Sequence, residues 1–205
     1  MARGSVRFAA TLLVIAACMI AAITLSFDRD ADRETWQPPE QIMDAVGIRA
    51  GMKIGEAGAG EGYLTFHLAR RVGDRGIVYA NEISEGDLET IRDRARREGV
   101  ENIVAVLGET ADPLFPEKDL DMVIMVYVLH HLDRPIEFLQ NLEGYLKPDA
   151  PVVIVEKNTD TDRSHPPQFM TNRQILEAIE EAGYELERTE DFLPRDTIYI
   201  YRVRR

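Results

Sequence analysis

Two unbroken apolar runs constrain this chain more than any other feature: MVIMVYVL from Met122 to Leu129, and PVVIV from Pro151 to Val155. Five or more successive apolar residues leave no polar face. A strand built from them must be covered on both sides, as in a parallel sheet packed between helices. The surrounding sequence repeats that alternation. Strands are predicted at 52–57, 76–82, 102–107, 120–126 and 151–156, with helices at about 62–72, 85–98 and 134–146 between them. Earlier, PPEQIMDAVG places prolines at a helix start, Ile42, Met43 and Val46 on one face, and Gly47 as the stop. Later, a helix over 172–182 opens with Thr171 and Gln174 in capping-box spacing and ends at Gly183. The tail changes character. YELERTEDFL and DTIYIYRVRR are two strand-like stretches divided by Pro194, with no helix between them. They predict an antiparallel pair added to the edge of a doubly wound α/β sheet.

The chain has 205 residues, which suits one ordinary domain. Its net charge of -12 disfavours a nucleic-acid partner, because phosphate-backbone binders rely on clustered Lys and Arg. A single cysteine, Cys18, leaves no intrachain disulfide and no Cys-rich metal site.

The N-terminus departs from this plain picture. FAATLLVIAACMIAAITLSF, Phe8 to Phe27, is uncharged, and Arg3 and Arg7 precede it. That length matches a hydrocarbon core of about 30 Å at a rise of about 1.5 Å per residue. Three readings compete. A cleaved signal peptide has a shorter apolar region, and Ile23 to Phe27 continue past the small residues Ala21 and Ala22. Ile15-Ala16-Ala17-Cys18 resembles a bacterial lipobox, which would give a lipoprotein through Cys18, yet the residues after Cys18 stay apolar. The favoured reading is an uncleaved single-pass anchor over residues 1–27, in a bacterial inner membrane, followed by a polar linker at 28–37 and a domain at 38–205. Two arginines on each side of the run leave the orientation open, with the amino terminus tipping it towards an external domain.

In a doubly wound sheet, ligands bind beyond the carboxyl ends of the strands. After the first strand comes Glu56-Ala57-Gly58-Ala59-Gly60-Glu61-Gly62. The glycines permit a tight turn and close approach of a ligand to the backbone, and the next helix offers unpaired N–H groups. A dinucleotide fingerprint needs a third glycine at position 63, where Tyr63 stands. An acid, Glu82, follows the second strand, in reach of paired ribose hydroxyls or else a solvated acid beside the cap Ser84. The third strand leads to Glu109, where Asp112 lies close enough to compete for a ligand-facing place and either acid can instead be solvated loop. The fourth leads through Tyr127 to His130-His131-Leu132 and Pro135. Neighbours in an extended stretch point to opposite sides, so both histidines face a ligand only if the chain turns. A metal set of His130, His131, Asp133 and His165 is disfavoured by the poor chelate geometry of adjacent histidines.

The pattern acid-x-Gly-x-Gly-x-Gly with Glu82, the HHL segment and the terminal strand pair resembles class I S-adenosylmethionine-dependent methyltransferases over about residues 38–203. Within them it is similar to the small-molecule, methyltransferase type 11 branch that acts on quinones and arsenite; GEGYLT is also similar to protein isoaspartyl methyltransferases. The resemblance implies a seven-stranded Rossmann-like sheet and S-adenosylmethionine as cofactor. It implies cofactor contacts from Glu56, beside the cationic amino acid portion, and from Gly58, Gly60, Gly62, Glu82, Glu109 and Tyr127. His130 and His131 border the sulfonium and acceptor, and either is a candidate general base, with packing as the alternative. The long connection 157–171 makes Asp160, Arg163, His165 and Phe169 candidate acceptor contacts. The implied acceptor is small or lipophilic. A non-catalytic ligand-binding domain and an NAD-dependent oxidoreductase are the alternatives, and Tyr63 counts against the second.

Overall fold

A computed structural model describes residues 30–159 and 170–205. Seven strands form one sheet: β1 (Lys53–Ala57), β2 (Ile77–Glu82), β3 (Ile103–Leu107), β4 (Met122–Val126), β5 (Val152–Lys157), β6 (Tyr184–Glu190) and β7 (Asp196–Val203). The order is β3-β2-β1-β4-β5-β7-β6. The first five strands run parallel, and β7 joins antiparallel to both β5 and β6. The helices of this unit are α1 (Pro39–Val46), α2 (Tyr63–Val72), α3 (Glu85–Glu98), α4 (Pro135–Glu143) and α5 (Asn172–Glu181). The predicted doubly wound sheet with its antiparallel edge is the observed architecture.

The apolar runs are buried as their composition requires. Val123, Met125, Val152 and Ile154 pack towards Phe138, Leu139 and Leu142 of α4 and Ile175 and Ile179 of α5. Met122, Ile124, Val153 and Val155 pack on the other face, with Ile42 and Met43 of α1 and Leu64 and Leu68 of α2. Each such fully buried aliphatic side chain contributes about 1.5–3 kcal/mol relative to exposure. Local signals end the helices where expected. Ser84 accepts the Asp87 N–H ahead of α3, and Thr171 and Gln174 form a reciprocal capping box at α5.

The outer strand β6 is protected by charge. Its exposed Glu187 accepts from Arg188 and Arg202, and Arg188 also donates to Glu190. Such a charged edge discourages pairing with other chains.

Two regions differ from the sequence expectation by more than one residue. Strand 120–126 and helix 134–146 are both shortened, because Leu120 and Leu146 pair with each other in an isolated bridge. The Leu120 N–H donates to the Tyr145 carbonyl, and the Lys147 N–H donates to the Leu120 carbonyl, which closes that junction. The second difference lies in the predicted linker 28–37, where residues 30–36 are helical. There Arg33 donates to Gln37 one turn on, a side-chain pairing that polar composition alone did not signal. The described residues 30–38 belong to a unit separate from 39–205. The proposed anchor, Phe8 to Phe27, lies outside the described residues; among those described, no helix is long and apolar enough to cross a membrane.

Candidate active site

The strand register sets the site. Ala57 at the end of β1 lies level with Asn81 in β2 and Met125 in β4, so the loops leaving these strands emerge together. Sequence order reverses between β1 and β4, which is where doubly wound sheets open a crevice. A cleft of about 310 Å³ occupies this point. Gly58, Gly60, Glu82 and Glu109 line it from the first three loops, and Tyr127, Val128 and His131 line it from the segment after β4.

The first loop is a backbone device. The N–H groups of Gly58 and Ala59 both donate to the Asn81 carbonyl, at 2.9 and 2.8 Å, folding the turn back over β2. Gly58 has φ +74, and a Cβ there would sit 2.3 Å from Val128 Cγ2. Gly60 has φ +54 with nothing within 4 Å of its Cβ position, so it presents bare backbone to open space. Gly62 plays a different part. Its Cβ position is 2.9 Å from Ile91 and 3.2 Å from Phe66, so it permits core packing and does not line the cleft.

Glu56, expected beside the cofactor, is buried and absent from the lining. Its carboxylate accepts the Thr65 hydroxyl proton at 2.5 Å, a partner nine residues on in α2. That contact ties β1 to α2 beneath the loop. Glu82, by contrast, reaches the cleft. One carboxylate oxygen accepts the Gly60 N–H at 3.0 Å, and the other accepts from Ile83 and Ser84. The acid therefore braces the glycine loop, and its oxygens keep capacity for further donors.

After β3, Glu109 lines the cleft while Asp112 does not. The Asp112 carboxylate instead accepts from the Leu114 N–H and the Tyr145 hydroxyl. Burial, reinforced by that hydrogen bond, pushes the Tyr145 phenol up to about 12.

The HHL segment turns, as facing a ligand with two adjacent histidines would require. Leu129–His131 is a short 3₁₀ helix, entered through Tyr127 at φ 60. Even so, only His131 lines the cleft. The His130 imidazole is buried against Glu156 of β5, with Nδ1 2.8 Å from one carboxylate oxygen and 3.1 Å from the other. A buried ring held this way does not line the cleft, so of the two candidate histidines His131 is the one the cleft exposes. Tyr127 donates its hydroxyl proton to Asp196 at the start of β7, while its N–H donates to the Val155 carbonyl at 2.9 Å.

Asp160, Arg163, His165 and Phe169 lie outside the described residues. Sequence reasoning missed Ile83, Thr110, Leu132 and Phe138, which also line the cleft. The first three neighbour residues already singled out, so the post-strand rule could have reached them. Phe138 comes from α4 and carried no such signal.

Residues 55–154 match a family model described as a methyltransferase domain. The chain is 28% identical over 118 residues to the ubiquinone/menaquinone biosynthesis C-methyltransferase UbiE of Shewanella frigidimarina, a match covering 57% of this chain and 47% of that protein. It thus spans about half the length of the UbiE relatives it matches. It is also 25% identical over 182 residues to the fibrillarin-like rRNA/tRNA 2'-O-methyltransferase of Pyrobaculum islandicum, covering 83% of this chain and 76% of that one. Among solved structures, a SAM-dependent methyltransferase from Aquifex aeolicus superposes with a TM-score of 0.77 at 23% identity, covering 82% of this chain and 91% of the other. At that identity the likeness shows the fold.

Proposed function

We propose that this chain transfers the methyl group of S-adenosylmethionine to a small, lipophilic acceptor. One observation carries the reading: the backbone of Gly58 and Gly60, the carboxylates of Glu82 and Glu109, and His131 share one cleft. The cleft suits the cofactor. Gly60 leaves open space where any other residue would put a side chain, and Glu82 has acceptor capacity for ribose hydroxyls. When bound, S-adenosylmethionine supplies an electrophilic methyl group on a positively charged sulfur.

The chain's own residues would do three things. Gly58 and Gly60 admit the cofactor close to the backbone. Glu82 and Glu109 orient it. The segment from Tyr127 to Asp133 forms the opposite wall, where His131 is placed to take a proton from a hydroxyl or other acidic acceptor. Holding nucleophile and methyl carbon in line is worth up to roughly 7–11 kcal/mol, so an acceptor that is already nucleophilic needs little more. Glu56 and Gly62 contribute by holding the loop from beneath. The name of the UbiE relatives supports a lipophilic acceptor, and the net charge of -12 weighs against an RNA acceptor of the fibrillarin-like kind.

The apolar run Phe8 to Phe27 fits a single-pass anchor that would bring the domain near a lipid-phase acceptor. Because S-adenosylmethionine is made in the cytosol, the reading places the domain on that side, against the weak charge-based orientation. A reporter fused after Arg205 tests this, and an external signal would refute it.

Isothermal titration of the full chain tests the cofactor assignment. S-adenosylmethionine and S-adenosylhomocysteine should bind and NAD should not; NAD binding without S-adenosylmethionine binding would favour an oxidoreductase.

A further inference from the structure

The segment after β4 changes backbone direction at Tyr127, a residue that lines the cleft. Tyr127 adopts φ 60, a region that non-glycine residues avoid unless their surroundings enforce it. Two carboxylates from neighbouring strands grip the side chains on either side of that change. Asp196 of β7 takes the Tyr127 hydroxyl, and Glu156 of β5 takes His130. Both acids are buried, at 1% exposure each. Between these anchors sits Val128, whose side chain fills the space that a residue larger than glycine would need at position 58. Immediately after them comes His131, its ring centroid 4.0 Å from that of His130.

We propose that Glu156 and His130 are a positioning pair, with Tyr127 and Asp196 as its partner tie. Together they set the turn that seats Val128 against the glycine loop and presents His131 to the cleft. The inference rests on the methyl-transfer reading for the use made of the cleft, and it adds His130, Glu156 and Asp196, which do not line that cleft. A carboxylate offers only acceptors, so His130 donates from Nδ1 and its ring orientation is fixed. The ring then backs onto His131. A shift of His130 would be passed to Val128 and His131 together, because both belong to the same short turn.

Simple packing makes a different prediction. If the pair merely fills space, apolar side chains of similar shape should replace both partners without consequence. The decisive variant is therefore the double substitution His130→Phe with Glu156→Leu, in the full chain. It leaves no orphaned buried charge, so thermal unfolding should stay cooperative and near that of the wild type. The probe is S-adenosylhomocysteine, followed by titration calorimetry and by the ring nitrogen signals of His131 in long-range nitrogen–proton spectra.

The double variant should bind S-adenosylhomocysteine about tenfold more weakly, with displaced His131 signals. Glu156→Gln, which keeps an acceptor for His130, should stay within about threefold of wild type. A folded double variant that binds within about twofold of wild type, with unmoved His131 signals, would overturn the proposal. So would a double variant that does not fold while Glu156→Gln binds as weakly as Glu156→Ala, since the rescue would then be absent. Failure of the wild type itself to bind would instead overturn the methyl-transfer reading.

Discussion

The two walls of the cleft are built on different principles. The wall after β1 and β2 is made of backbone: Gly58 and Ala59 bond to the Asn81 carbonyl, and Gly60 is braced by Glu82. The wall after β4 is made of side chains, with Tyr127 and His130 held on Asp196 and Glu156. A backbone wall accepts almost no change, since its shape depends on the absence of side chains. A side-chain wall can be retuned by substitution. That division suits the proposed methyl transfer, with the cofactor held by backbone and the acceptor met by side chains.

The harshest way to break this comparison is Gly58→Val. The new side chain would collide with Val128 and force a β-branched residue into φ +74, costing about 3 kcal/mol or more. A lowered melting temperature with loss of S-adenosylhomocysteine binding is expected. Gly60→Ala separates the two effects. Its Cβ meets nothing, so stability should fall by only about 1 kcal/mol from the left-handed backbone, while affinity falls further.

Glu82→Ala comes next. It removes the brace on Gly60 and the proposed acceptor for the ribose, and calorimetry should show affinity about 10–100-fold weaker. An unchanged affinity would mean that the loop is set by the Asn81 carbonyl alone.

Thr65→Val asks whether Glu56 serves the scaffold or the ligand. Removing the hydroxyl takes a donor from a buried carboxylate, which should cost about 2 kcal/mol in chemical denaturation. Affinity should stay within about threefold of wild type if Glu56 only ties β1 to α2.

The smallest effect is expected away from the cleft lining, at Tyr145→Phe, about 1 kcal/mol through the lost bond to Asp112. The native phenol is held protonated up to about 12. An unfolded tyrosine ionises near pH 10, so this contribution is complete below pH 10 and is lost as pH rises from there through 12. Ultraviolet titration should show one late-ionising phenol fewer in the variant.

Much of this was legible in the sequence because it depended on local rules. Continuous apolar runs gave away buried strands, and the post-strand rule led to Gly58, Gly60, Glu82 and Glu109, all of which line the cleft. What escaped depended on contacts between distant residues. The acid at position 56 sits in a motif that suggests a ligand, yet its partner is Thr65 on the next helix. Two adjacent histidines looked equivalent until β5 supplied Glu156 to one of them. That glutamate ends an otherwise apolar run, a sign that a buried partner was waiting, but nothing in the spacing named His130. The junction of Leu120 with Leu146 shortened two elements for the same reason.

The central claim is that one cleft, bounded by Gly58, Gly60 and Glu82 on one side and His131 on the other, holds the cofactor. A crystal structure of the full chain with S-adenosylhomocysteine tests it most directly. The account predicts the ribose hydroxyls on the Glu82 carboxylate and the sulfur facing the Tyr127–His131 segment. Density for the ligand elsewhere on the domain, with that cleft left to solvent, would contradict it.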